Sequence, residues 1–249
     1  MLEVNKIYNE DCLVGMNRIP DKSIDMILCD LPYGTTSCKW DTILPFKKLW
    51  EQYIRVIKDN GAIVLTSAQP FTTSLINSNL IWFKYTWYWI KNAPTGFSFA
   101  KYQPMRNVED ICVFYKKMPT YNPQGLIKLE EPIKRSRRKG NQGGVYKPEG
   151  LTGKEYKTTH KNYPKQTLNI KVERGLHPTQ KPTELFEYLI KSYTEEGEIV
   201  LDNCLGSGTT AIAALKTNRK FIGFELDKEY YEIASKRIEE HYKGLNNNG

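Results

Sequence analysis

Along residues 1–115, short apolar runs alternate with amphipathic stretches. Residues 24–29 (IDMILC) and 62–66 (AIVLT) are short and mostly apolar, as expected of strands covered on both faces. Between them Phe46, Leu49, Trp50, Tyr53, Ile54 and Ile57 recur at helical spacing. This predicts a helix over 46–57, broken by Asn60-Gly61. A second helix is predicted from Pro70 to about Asn79, and strands over 85–90 and 110–115 fit an antiparallel pair. The same rhythm returns over 176–249. Pro182 opens a helix over 183–193, and a strand at 199–201 leads to a helix over 209–217. A strand over 220–225 then precedes a charged amphipathic helix over 228–242. Strands alternating with helices predict an α/β fold, a doubly wound, mixed but mainly parallel sheet with helices on both faces. Such sheets bind ligands beyond the carboxyl ends of their strands, where the strand order switches direction.

Residues 116–175 break the pattern. They are rich in Lys, Arg, Gly and Pro, lack apolar periodicity, and interleave Tyr121, Tyr146, Tyr156 and Tyr163 with cations. The net charge of +8 belongs here. Residues 116–174 hold 15 Lys and Arg against 5 Asp and Glu, leaving 21 against 23 in the rest of the chain. Such a concentration fits a polyanionic partner, and equally a solvated lysine-rich loop. The expected organisation is therefore a basic insertion, 116–175, between two halves (1–115 and 176–249) of one domain. No apolar run is long enough to cross a bilayer, and no secretory signal opens the chain. The five cysteines are scattered without metal-ligand spacing. They are read as reduced thiols of a cytoplasmic protein, with no metal expected.

Two motifs follow strands. In Asp202-Asn203-Cys204-Leu205-Gly206-Ser207-Gly208-Thr209-Thr210, the glycines permit a tight turn, and the next helix would aim free N–H groups at a ligand. No Gly-Lys-Ser/Thr follows, so this is not a phosphate-binding P-loop. Glu225 lies at the spacing of an acceptor for ribose hydroxyls, which makes this a candidate nucleoside-binding half. The other motif is Asp30-Leu31-Pro32-Tyr33-Gly34. A carboxylate and a backbone carbonyl can together accept both hydrogens of an NH₂ group, and Tyr33 offers a flat face to an extruded base. A plain turn with a solvent-facing Asp is the competing reading from composition alone.

Asp-Leu-Pro-Tyr resembles the Asp-Pro-Pro-Tyr motif of amino-group DNA methyltransferases. LDNCLGSGTT (201–210) resembles that family's S-adenosylmethionine-binding motif, HPTQKP (177–182) its preceding segment, and NEDCLVGM (9–16) its cofactor-adenine segment. Their order resembles the β group of the family. The resemblance implies that Asp30 and the Pro32 carbonyl hold a target amine while Tyr33 stacks on the flipped base. Asp30 and Asp202 would also border the cofactor. Gly206, Ser207, Gly208 and Thr209 would wrap its methionine, Glu225 its ribose, Asp11 and Cys12 its adenine, and Thr179 and Lys181 its carboxylate. Leu31, Asn203 and Cys204 depart from the family pattern. Cytosine-N4 members usually carry Ser at the position of Asp30, so the resemblance favours adenine N6 in double-stranded DNA. Cytosine N4, an RNA base, or an inactive nucleic-acid-binding homologue are the alternatives. Lys101, Arg106, Lys134, Arg135, Arg137, Arg138, Lys139, Asn141 and Gln142 are the candidate DNA contacts. The family also admits a homodimer, with no interface marked in the sequence.

Overall fold

The strand Ile24–Asp30 is mostly apolar on both faces because both faces are covered. In the computed structural model, which describes residues 2–34, 42–136, 155–173 and 180–246, the strands are β1 (Lys6–Tyr8), β2 (Ile24–Asp30), β3 (Ile57–Ser67), β4 (Phe83–Thr95), β5 (Arg106–Phe114), β6 (Ile127–Ser136), β7 (Glu155–Lys161), β8 (Thr167–Asn169), β9 (Ile199–Asp202) and β10 (Lys220–Phe224). The helices are α1 (Cys12–Gly15), α2 (Phe46–Val56), α3 (Phe71–Ser78), α4 (Thr183–Tyr193), α5 (Thr209–Lys216) and α6 (Lys228–Asn246). Met26 and Leu28 pack in one core with residues of α4, α5 and α6. Ile27 and Cys29 pack in the other with residues of α1, α2 and α3. Successive side chains on a strand point to opposite faces, so one strand feeds two cores.

Eight strands form one sheet in the order β1-β10-β9-β2-β3-β5-β4-β8. The run from β1 to β3 is parallel, β5 is antiparallel to β3 and β4, and β8 is parallel to β4. The expected mixed, mainly parallel sheet is therefore present, and so is the antiparallel pair. From β2 the chain passes through α2 to β3 on one side. From β9 it passes through α5 to β10 on the other. The border between β2 and β9 is thus the switch point. Met26 faces Val200 and Ile27 faces Leu201 across it, so Asp30 and Asp202 end neighbouring parallel strands at one edge. At the opposite end Asp25 fastens the pair by accepting from the Ile199 amide at 3.0 Å.

Several boundaries differ from the sequence reading. Asn60-Gly61 lies inside β3, where Ile24 pairs with Ile57 but Met26 with Ala62, so a bulge absorbs the extra residues. A Cβ on Gly61 would come within 2.7 Å of the Asp25 carbonyl, so glycine serves close packing there instead of a turn. Strand β10 ends one residue before Glu225. β1 has no counterpart in the sequence reading, since three residues carry no period.

The chain divides into two compact units, one of residues 1–122 with 166–249 and the other of residues 123–165. The second holds β6 and β7, an antiparallel ribbon running from Ile127 paired with Lys161 to Ser136 paired with Glu155. The sequence pattern predicts no strand there. A two-stranded ribbon need not bury a face; Ile127 and Ile133 are about half exposed, so no apolar alternation appears in the sequence. Among the described residues, no helix is long and apolar enough to cross a membrane, and no cluster of His, Cys, Asp and Glu could hold a metal.

Candidate active site

The carboxyl edge at the switch point opens into a cleft of about 710 Å³, within the range of ligand pockets. Asp30, Leu31, Pro32 and Tyr33 line it from the end of β2, and Asp202 to Ser207 with Thr209 from the end of β9. Asp11, Cys12, Lys181, Glu225, Asp227 and Lys228 are also on the wall. The two motifs, roughly 170 residues apart in sequence, share one cavity.

Asp30 is held on both oxygens. Its Oδ1 accepts from the Tyr33 hydroxyl at 2.7 Å and from the Thr66 hydroxyl, and its Oδ2 from Lys181 Nζ at 2.6 Å. Thr66 is in place because β3 pairs with β2 at Asp30. Lys181 is buried and also lies 3.4 Å from Glu109, whose other oxygen takes Lys91 at 2.9 Å. Burial alone would lower the Lys181 pKa, but the Asp30 and Glu109 carboxylates more than offset it and raise it, so the ammonium stays charged. Burial, with Asp30 and Glu109, pushes the Tyr33 phenol well up, so it remains a donor. The Tyr33 ring stacks on Phe71 at 5.1 Å, with Lys181 Nζ 5.5 Å from its centre.

On the β9 side, Gly206 (φ 54°) and Gly208 (φ 87°) both take the left-handed conformation. Glu225 clamps the turn, with Oε2 accepting from the Gly206 amide at 2.7 Å and Oε1 from the Asp227 amide at 2.8 Å. Burial raises the Glu225 pKa against these amides. Arg237 of α6 donates to the Ser207 carbonyl at 2.6 Å. Asp202 faces inward, accepting from the Cys204 amide at 3.0 Å and from Thr210 Oγ1 at 2.5 Å. Asp11 caps α1 by accepting from the Leu13 amide at 2.7 Å. Behind the turn, Asn203 donates toward Cys12 and Cys204 and accepts from the buried Tyr53 hydroxyl at 2.5 Å. Asn203 therefore fills the departure from the family motif with a polar bridge between α1, α2 and β9.

Of the predicted residues described in the unit that holds this cleft, Gly208, Lys101 and Arg106 do not line it. Lys101 and Arg106 are exposed in the connection from β4 to β5 and at its return. Lys134 and Arg135 lie on β6 in the second unit. Thr179, Arg137, Arg138, Lys139, Asn141 and Gln142 lie outside the described residues. Trp89 is core, and its indole donates to the Ile170 carbonyl at 2.8 Å. Thr66, Glu109, Phe71 and Arg237 escape sequence reasoning because single polar or aromatic residues in or beside predicted strands and helices carry no local signal.

The family model described as DNA methylase, of the N6/N4 type, matches residues 24–236. The Type II methyltransferase M1.MboII of Moraxella bovis is 29% identical over 94% of this chain and 96% of its own. Among solved structures, the M1.HpyAVI–SAM complex is similar with a TM-score of 0.63 at 24% identity, covering 93% of this chain and 98% of that one. The cytosine-N4-specific PvuII DNA methyltransferase gives a TM-score of 0.67 at 16% identity over 92% of this chain and 84% of that one. With a family match that includes both the Asp30–Tyr33 and the Gly206–Thr209 motifs, this chain belongs to the amino-group DNA methylases.

Proposed function

We propose that this chain transfers a methyl group from S-adenosylmethionine to the N6 amino group of adenine in duplex DNA, the base being flipped into the cleft. The observation that carries this reading is the shared cavity of Asp30 and Gly206. The residues present fit the cofactor. Asp11, Asp30, Glu225 and Asp227 outnumber Lys181 and Lys228 on the wall, a setting that favours a cationic sulfonium over a polyphosphate. The Glu225 carboxylate, fixed by two amides, keeps lone pairs for ribose hydroxyls. Gly206 meets nothing within 4 Å where a Cβ would stand, which leaves room for close approach to its backbone. When bound, the cofactor supplies an electrophilic methyl group.

The protein's part is to make the amine a nucleophile. A carboxylate has about four acceptor sites, and Tyr33, Thr66 and Lys181 use three on Asp30, which leaves one for an amine hydrogen. The main-chain carbonyl at Pro32 accepts the second. Two acceptors favour a tetrahedral nitrogen with a localised lone pair. They would bind more tightly as the new N–C bond replaces the methyl group's bond to sulfur and the nitrogen becomes positive, and its surplus proton would then pass by way of Asp30 to water. Lys181 acts through Asp30. It fixes the carboxylate, and Glu109 in turn fixes the ammonium. Adenine is favoured by the carboxylate at position 30, where the resemblance gives cytosine-N4 enzymes a serine.

Incubation with labelled cofactor and unmethylated plasmid, then mass analysis of the digested nucleosides, tests this. N6-methyladenine is expected. N4-methylcytosine would overturn the choice of base, and no methylated nucleoside would overturn the activity.

A further inference from the structure

The β4–β5 hairpin carries a cluster that the transfer chemistry leaves unused. Asp30 is level with Thr66, Thr66 with Ile111, and Ile111 with Trp87. The carboxyl edge at the cleft is thus level with Ile111 on β5. The hairpin does not stop there. β4 runs on to Thr95, which pairs with Arg106 at the start of β5. At strand rise, the stretch from Ile111 back to Arg106 projects roughly 17 Å past that level. Beyond it Gly96 (φ 91°) turns the chain into a 3₁₀ turn at Phe97–Phe99.

Phe97, Phe99 and Tyr102 at this tip are 80%, 59% and 86% exposed. Lys101 and Arg106 are exposed beside them, and no Asp or Glu occurs from Lys91 to Val108. A surface seldom leaves a group of large aromatics in water without a partner to cover them. Aromatic faces among cations, in a stretch without a carboxylate, suit bases and phosphates. The hairpin leaves the same edge at which the cleft opens, and a base entering the cleft leaves its former neighbours unstacked.

We propose that this hairpin tip is a DNA-stacking wedge. Phe97, Phe99 and Tyr102 stack on bases beside the one drawn into the cleft, and Lys101 and Arg106 bind the flanking phosphates. The proposal rests on reading the cleft as a base-methylating site. All three aromatics are exposed, so their removal leaves both cores intact.

The test compares wild type, a Phe97→Ala/Phe99→Ala/Tyr102→Ala variant and a Phe97→Trp/Phe99→Trp variant. Each is assayed for methyl transfer to unmethylated plasmid, for binding of a short labelled duplex across a salt series, and for cofactor binding by calorimetry. The alanine variant should lose about ten-fold or more in kcat/KM for plasmid, the scale of one stacked base. Cofactor affinity and the salt slope should hold, and the tryptophan variant should keep most activity. Separately, Lys101→Gln/Arg106→Gln should flatten the salt slope by about 2. An alanine variant within about two-fold of wild type overturns the wedge and leaves the enzyme reading intact. So does a tryptophan variant no better than alanine. A wild type that methylates no DNA overturns the cleft reading, and the wedge with it.

Discussion

At the scale of single residues, Asp202 shows how one carboxylate in this cleft differs from the next. Its side chain is only 3% exposed and both its oxygens face inward. Burial, against hydrogen bonds from Thr210 and the Cys204 amide, pushes its carboxyl from 3.8 up to about 6. The folded protein then holds this proton more tightly than the unfolded chain. Its contribution to stability is greatest below about pH 4 and is lost as pH rises through about 6. Asp202→Asn should therefore gain on wild type between those limits, by on the order of 2–3 kcal/mol. Urea denaturation at several pH values checks this, and a difference that does not change with pH contradicts it. Asp30, Gly206 and Glu225 are legible in the sequence because their spacing belongs to a motif. Thr66 and Glu109 are not. Thr66 reaches Asp30 only because β2 and β3 pair in this register, and Glu109 reaches Lys181 across a gap of 72 residues.

At the scale of elements, the turn from β9 into α5 separates binding from folding. Gly206 has open space around a Cβ, whereas a Cβ on Gly208 would meet Ala234 of α6 at 3.1 Å. Both positions carry positive φ, so alanine costs roughly 1–2 kcal/mol of backbone strain at either. Gly208→Ala should lose more, because α6 must also shift, and its melting temperature should fall further than that of Gly206→Ala. Gly206→Ala should instead weaken cofactor binding more than its stability loss explains. Calorimetry beside thermal unfolding measures both, and the reverse ranking contradicts the assignment. β2, β3, β9 and β10 are readable because helices cover both faces and leave continuous apolar runs. β6 and β7 are not, because a ribbon exposed at Ile127 and Ile133 imposes no hydrophobic period. Asn60-Gly61 misleads for a related reason. A bulge and a helix stop use the same residues, and only the pairing partner tells them apart.

At the scale of the whole molecule, charge and chemistry divide along the sequence. The acidic cleft is assembled from the two ends of the chain, while residues 116–174 carry a balance of 15 basic to 5 acidic groups. Neutralised phosphates release counterions, so replacing Arg135, Arg137 and Arg138 together by Gln should reduce the salt slope of DNA binding by about 0.9 for each phosphate that one of them neutralises. Anisotropy titrations across a salt series read this directly, and an unchanged slope would remove these arginines from the interface. In the proposed reaction Asp30 grips the amine while the β9 turn holds the cofactor. Methyl transfer by Asp30→Ala at saturating S-adenosylmethionine, with cofactor affinity measured on the same sample, tests it most directly. Transfer should fall by about 100-fold or more, the scale of removing one transition-state hydrogen-bond partner, and cofactor affinity should fall far less. Transfer at the wild-type rate would contradict it.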